Sequence, residues 1–509
     1  MDFSFFWNFT TLALLLPIIL FILRKMRKAR PVWPPGPKSL PIIGNMHLLS
    51  PLAFRDLTDL TKQYGPLMHM KLGEVDTIVV SSPELAREFL KQNDPCYADK
   101  PDSIGIKVLW YDYRDIAFSP YGGYWSQMRK ICIMELLSPR SVRSFGSIRK
   151  AEVSHLIQSI GAAAGEPVNV SEKIFSMMSS VTCRAAFGRV SKDKDKLIRI
   201  VKEGIQMAGG FEIADFFPSS LAINSLSWTK LRLVMMRRKL DVILDDLIEQ
   251  HRVNLAEIAK AGESGKKGNG EFGNEDLVDV LLRLQETGEL QYPINNDNIK
   301  AVIFDMFSAG TETSSTAMDW AMAELMRNPE VMAKAQAEVR GIYNDDTISN
   351  MGDNDQNLKY LKQVIREALR LHPPVPVLPR AAREEREING YKIPAKVKVL
   401  VNNWGMQRDP KYWTNPEKFE PERFERSPKE FLGADFDYLP FGAGKRMCPG
   451  ITFSMASVEL VIAQLLYHFD WKLPEGMQPE TMDMIENPGV TASRRDNLYA
   501  VATPYKQSP

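Results

Sequence analysis

The segment Phe441-Gly442-Ala443-Gly444-Lys445-Arg446-Met447-Cys448-Pro449-Gly450 constrains this chain more than any other ten residues. Two closely spaced glycines and a Pro-Gly step specify a tight loop with exposed backbone, and the loop carries one soft ligand, Cys448. The apolar run from Ile451 to Phe469 predicts a helix directly after it. The sulfur then sits beside a helix N-terminus, where unpaired N–H groups favour thiolate over thiol. One thiolate cannot build a zinc or iron–sulfur site, each of which needs several soft ligands. It can be the single axial ligand of a haem iron. Read in isolation, the same window also fits a buried structural cysteine in a Gly-rich turn.

Composition narrows the chemistry around that loop. The 64 Lys and Arg residues balance 63 Asp and Glu, so no basic field points to nucleic acid. Four cysteines (Cys96, Cys132, Cys183, Cys448) lie far apart without a C-x-x-C pair, as expected in a reducing compartment. Six scattered histidines form no H-E-x-x-H, which argues against a protein-ligated zinc enzyme.

Phe3 to Leu23 is an uncharged run long enough to cross a bilayer core of about 30 Å. Arg24, Lys25, Arg27, Lys28 and Arg30 follow at once, which predicts a permanent anchor with the chain after residue 30 on the cytosolic side. Pro34-Pro35-Gly36-Pro37 reads as a stiff hinge. The expected organisation is therefore an anchor at 1–23, a basic and proline-rich hinge at 24–37, and one cytosolic domain at 38–509. Within that domain Thr77–Val80 and Val397–Val401 read as strands, 101–124 as a long ordered loop, and the polar, Gly-rich 261–274 as a disordered surface loop.

Asn298 to Arg327 predicts one long helix, stopped by Asn328-Pro329. Its centre, Ala309-Gly310-Thr311-Glu312-Thr313-Ser314, mixes small residues with hydroxyls that compete for backbone carbonyls, a weakness expected to open a groove. Glu312 and Thr313 place an acid and a hydroxyl together, which suits a short proton relay. Trp125 and Arg129 stand at i and i+4 on another predicted helix, as do Glu367 and Arg370 at i and i+3 on a third.

Phe441, Gly444, Arg446, Cys448 and Gly450 fill every fixed position of F-x-x-G-x-R-x-C-x-G, and at these residues the chain resembles the cytochrome P-450 family. Ala309 to Ser314 is similar to the family's distal motif. Trp125/Arg129 resembles its W-x-x-x-R helix, Glu367/Arg370 its E-x-x-R, and Pro421-Glu422-Arg423-Phe424 its P-E-R-F. The resemblance implies a mainly α fold with small β-sheets (the cytochrome P-450 fold), behind a single N-terminal transmembrane helix. It implies haem b (iron protoporphyrin IX) ligated by Cys448, with Trp125, Arg129, Arg380 and Arg446 at its propionates and Phe441 beside it. Glu312 and Thr313 would deliver protons, while Glu367, Arg370 and Arg423 would form a buried ion triad behind the cysteine loop. The implied activity is that of a plant microsomal monooxygenase that takes O2, a hydrophobic small molecule and electrons from NADPH-cytochrome P-450 reductase, docked near Lys130 and Lys445. Expected pocket residues are Phe118, Asp305, Ala309, Val375, Val377, Leu378 and Val490, with Asp305 either meeting a polar substrate group or lying on the helix surface. A terpenoid substrate is favoured over an aromatic compound or alkaloid. A reductase-independent isomerase or dehydratase is the rival, against which Thr313 counts. The implied location is the endoplasmic reticulum membrane.

Overall fold

A computed structural model describes residues 32–190, 192–207, 213–220, 228–261, 268–270, 274–352 and 355–506. The apolar run Phe3–Leu23 and its basic flank lie outside the described residues. The helices that matter for the site are α1 (Ala53–Tyr64), α2 (Ile104–Leu109), α3 (Gly123–Cys132), α4 (Val170–Phe187), α5 (Asn296–Arg327), α6 (Lys359–Leu371) and α7 (Ile451–His468).

At the centre is α5, 32 residues and hence about 48 Å long. Asn295 caps it by accepting N–H bonds from Asp297 and Asn298, and Asn298 answers in a reciprocal box. Apolar residues surround its whole circumference rather than one stripe, so it is packed on every side. Its neighbours are α4, α6 and α7. The helix is continuous through Ala309–Ser314, where Thr313 and Ser315 donate back to the carbonyls of Ala309 (2.7 Å) and Thr311 (2.7 Å). Among the described residues α7 is the one helix long and apolar enough to cross a membrane, and 78% of it is buried in this core.

The small sheets lie at the periphery. Strands β1 (Leu67–Leu72) and β2 (Val75–Val80) form a hairpin, with Gly73 at φ +58° in its two-residue turn. After β3 (Pro167–Asn169) come β4 (Leu378–Ala381), β5 (Arg386–Ile388), β6 (Tyr391–Ile393), β7 (Lys398–Val401), β8 (Phe469–Lys472) and β9 (Tyr499–Pro504). The main sheet runs β1-β2-β7-β4, and β2 and β7 pair in parallel across more than 300 residues of chain. The expected strand Thr77–Val80 falls within β2, and Val397–Val401 matches β7 except for Val397, which precedes it.

Two expectations change in detail. Residues 101–124 are not all loop: α2 forms within them, and α3 begins at Gly123, two residues before Trp125. The Pro34–Pro37 segment is not free-standing, since Pro35 accepts from His69 N (2.9 Å) and Trp33 stacks on the His69 ring (4.2 Å). A Cβ at Gly36 would lie 1.9 Å from His69 O, so only glycine permits this approach. Most of the expected disordered loop 261–274 (262–267 and 271–273) lies outside the described residues; within the described part Asn269 is held by three bonds to Asp279 and His251.

Candidate active site

The Cys448 loop closes on itself through Cys448 N–H donating to Phe441 O (3.0 Å). Gly442 (φ +70°) and Gly444 (φ +72°) provide its left-handed bends, and a Cβ on Gly444 would meet Leu90 O at 2.1 Å. The turn delivers the thiol to the start of α7, where Gly450 N–H donates to Sγ (3.3 Å). In the protein alone, burial raises the Cys448 pKa; the Gly450 N–H and the Arg129 charge oppose it without prevailing. The helix terminus thus acts on the sulfur in the expected direction, desolvation opposes it, and a cation at sulfur would favour the thiolate.

Cys448 lines a cavity of about 280 Å³ between α5, the cysteine loop and β4. On the α5 side it meets Asp305, Ala309, Gly310 and Thr313; on the opposite side Phe441, Arg446 and Cys448. Val375, Leu378, Arg129, Arg380 and Lys100 complete the polar and apolar contrast of its wall. The distal segment and the cysteine, 135 positions apart in the chain at Thr313 and Cys448, therefore face one space.

Four cations surround that space with too few partners. Arg380 is 2% exposed and its Nε has no hydrogen-bond partner; burial and the neighbouring Arg446 hold its pKa down to about 10. Arg446 is likewise lowered to about 10 by burial, although it donates to the carbonyls of Ala98, Ile116 and Ser119. Arg129 donates to Met447 O (2.6 Å) and is lowered by burial. Lys100 is held well below the usual lysine range by burial and by Arg380 and Arg446. Trp125 stands between two of these groups, with Arg446 at 4.6 Å and Arg129 at 5.4 Å from its ring. Its indole N–H donates to Ile116 O (3.0 Å), so here it acts as a platform rather than as a free donor.

One thiol facing an apolar cavity with four under-neutralised cations fits a flat, apolar cofactor that carries one metal and two carboxylates. Haem has that character: the thiolate suits its iron, and the cations suit its propionates. Lys100 escaped the sequence reading because nothing local marks it; only the fold brings it beside Arg380 and Arg446.

The two proposed proton-handling groups are placed differently. Thr313 lines the cavity, with its hydroxyl resting on Ala309 O. Glu312 does not line it; the carboxyl is 7% exposed, Oε2 has no hydrogen-bond partner, and burial lifts its pKa to about 7. Asp305 is not a surface carboxylate. It is 2% exposed, and its Oδ2 accepts the backbone N–H of Ile116 (3.2 Å) and Ala117 (3.1 Å). Burial raises its pKa to about 6. It anchors the segment before α3 to α5.

Ala309, Val375 and Leu378 line the main cavity as expected, whereas Phe118, Val377 and Val490 line a second one of about 100 Å³. Lys100 and Val375 belong to both, so the two spaces are neighbours. Behind the cysteine loop, Glu367 accepts from Arg370 at both oxygens (2.7 and 2.8 Å) and from Arg423 Nε (2.9 Å). Glu367 and Arg370 are fully buried, and Arg370 reaches on to the carbonyls of Gln407 and Pro416 (2.8 Å each). Lys130 and Lys445 are exposed.

Comparison with known proteins gives one answer at each level. The sequence profile described as Cytochrome P450 matches residues 34–498. The chain is 52% identical to premnaspirodiene oxygenase of Hyoscyamus muticus, over 96% of this chain and 97% of that protein. It is 50% identical to 5-epiaristolochene 1,3-dihydroxylase of Nicotiana tabacum, again over 96% and 97%. Among solved structures, a zebrafish cytochrome P450 with progesterone superposes with a TM-score of 0.72 at 25% identity, covering 89% of this chain and 99% of that one.

Proposed function

The chain belongs to the cytochrome P450 family, and from that premise we propose that it hydroxylates a terpenoid hydrocarbon, with Cys448 as the iron ligand. It is a haem-thiolate monooxygenase. The observation that carries the substrate reading is the lining of the cavity. Its one carboxylate, Asp305, is committed to two backbone N–H groups, and the cations sit where the propionates would be held. What remains for the substrate is mostly apolar, Met306, Ala309, Val375 and Leu378 among it, with the hydroxyls of Thr182, Thr313, Ser314 and Ser454 and no further charge. Such a wall offers shape and water exclusion but no anchor for a charged or strongly polar group. Two relatives that share half of the sequence carry sesquiterpene names, which supports the same reading.

When bound, the haem supplies the oxygen activation and the oxidising equivalent. The protein's part is division of labour. Arg129, Arg380, Arg446 and Lys100 would neutralise the propionates and hold the cofactor in place. Thr313 can turn its hydroxyl from Ala309 O into the cavity, donating a proton there and accepting one from behind. Glu312, with a pKa near 7, is populated in both protonation states at neutral pH, as a proton store requires. Family members draw electrons from a redox partner. We assign that role to an NADPH-dependent reductase of the same membrane docking near exposed Lys130 and Lys445, with this chain held at the endoplasmic reticulum by the run Phe3–Leu23.

The test is expression with a plant reductase and presentation of premnaspirodiene and 5-epiaristolochene with NADPH. Hydroxylated product and a carbon-monoxide spectrum with the thiolate red shift are expected, the latter lost in Cys448→Ser. Retention of that shift in Cys448→Ser would overturn the ligand assignment. Turnover of aromatic or alkaloid compounds, with none of any sesquiterpene or monoterpene hydrocarbon, would overturn the substrate class.

A further inference from the structure

The backbone just before α3 forms a wall of both cavities: Ile116 and Ala117 line the haem cavity, and Phe118 lines its neighbour. The N–H groups of this wall rest on two carboxylates. Asp305 Oδ2 accepts from Ile116 (3.2 Å) and Ala117 (3.1 Å), while Asp115 Oδ2 accepts from Ala117 (3.1 Å) and Phe118 (2.9 Å). The carbonyls of the same wall meet the cation cradle, Ile116 O accepting from Trp125 Nε1 (3.0 Å) and Arg446, and Ser119 O from Arg446. The chain enters this wall through strained backbone. Tyr111, Asp112 and Tyr113 are three successive non-glycine residues at φ +54°, +55° and +62°, a left-handed run that persists only where surrounding contacts impose it. Freed from its carboxylates, a segment fed by such a turn relaxes to a different shape.

Asp115 and Asp305 place two carboxylate oxygens on one donor, the Ala117 N–H, and the two residues are 0% and 2% exposed. Among the described residues neither makes an ion pair; Lys100 and Arg446 attract Asp115 only at longer range. Asp115 Oδ1 is buried with no hydrogen-bond partner, so nothing offsets a charge there. Two buried acids this close do not both ionise. Burial and the Asp305 charge hold the Asp115 carboxyl well above the usual carboxylate range, and the rise of Asp305, to about 6, is the smaller.

We infer that Asp115 is a positioning residue for the substrate, holding the wall 116–118 in the shape that fits the hydrocarbon, with Asp305 as its charged counterpart. It acts as the uncharged acid of the pair, so an amide of the same shape can replace it. The inference rests on the haem-thiolate and hydrocarbon readings above.

The experiment uses the full-length ferric holoenzyme in detergent. Substrate binding is followed by displacement of the Soret band with whichever of premnaspirodiene and 5-epiaristolochene displaces it further. Imidazole, which binds iron and is too small to need the wall, is the control. In Asp115→Ala the substrate Kd should rise about tenfold or more, the loss of two neutral hydrogen bonds, with imidazole affinity within about twofold of wild type. The ratio of hydroxylated isomers should change as well, because a moved wall presents different carbons. Asp115→Asn should restore both the Kd and the isomer ratio. The infrared difference between wild type and Asp115→Asn at pH 7 should show the carbonyl band of a protonated carboxylic acid. Unchanged Kd and isomer ratio in Asp115→Ala overturn the inference, as does an Asp115→Asn variant as weak as Asp115→Ala, or a carboxylate band in place of the acid band. Should Asp115→Ala lose its Soret band, Asp115→Glu takes its place: an acid one methylene longer displaces the wall, and wild-type Kd and isomer ratio there overturn the inference equally. Failure of the underlying readings looks different, since wild type itself would then show no Soret band or no displacement by either hydrocarbon, and the inference falls with them.

Discussion

Glu312 is a carboxylic acid kept only partly ionised at neutral pH by its surroundings. Its pKa in the fold is about 7 against an ordinary 4.5, and the cause is burial, relieved only weakly by Lys202. The folded protein therefore binds more protons at this site than the unfolded chain between those two values, so the site costs stability as pH rises. The penalty is absent below about pH 4.5 and complete above about pH 7, where it reaches roughly 3 kcal/mol. Glu312→Gln should raise the unfolding temperature at pH 8 and leave it nearly unchanged at pH 5, while slowing product formation at both. Differential scanning calorimetry at the two pH values decides the first part, and steady-state turnover the second. Thr313→Ala removes the hydroxyl that faces the cavity. It should cut product formed per NADPH several-fold with little change in NADPH consumption, which paired product and NADPH assays measure.

At the scale of elements, two contacts hold the site in shape. Glu367 joins α6 to the segment carrying Arg423 while fully buried. Glu367→Ala leaves Arg370 and Arg423 uncompensated and should cost about 3–5 kcal/mol, read as loss of haem-loaded protein and a lowered denaturation midpoint. Asp305→Ala releases the Ile116 and Ala117 N–H groups from α5 and should cost about 1–3 kcal/mol. It should also weaken substrate binding, as followed by the displacement of the Soret band. How far such contacts were legible beforehand depended on their local signal. The helix α5 announced itself by an Asn–Pro stop and 30 residues without a break, and Glu367 and Arg370 by their spacing. The short helix α2 did not, because six residues containing a glycine show no period. Asp305 looked like a surface acid because its partners are backbone groups nearly 190 positions away, which no side-chain pattern records. The hydroxyls at the centre of α5 were legible from composition, and they do compete for the helix's own carbonyls, Thr313 for Ala309 O and Ser315 for Thr311 O.

Over the whole molecule, the cofactor is a structural counter-ion as much as a reagent. Arg129, Arg380, Arg446 and Lys100 are all shifted toward losing their charge in its absence. Haem-depleted protein should unfold at a temperature lower by many degrees than reconstituted protein, since a tight ligand stabilises by several kcal/mol through mass action. Circular dichroism melts of the two forms test this, and Arg380→Met should narrow the difference.

Two of the cations are also far from the thiol along the chain. Lys100 and Arg129 come from its first third, and Cys448 lies just before α7, close to the end of the described residues. At about 5–20 residues per second, a ribosome needs on the order of 15–60 s to travel from Arg129 to Cys448. Throughout that interval half of the cradle exists without the other half. If Cys448 is the iron ligand, a complete cradle cannot exist until the last eighth of the chain is being made, and a message truncated before the cysteine should yield protein that added haem does not rescue.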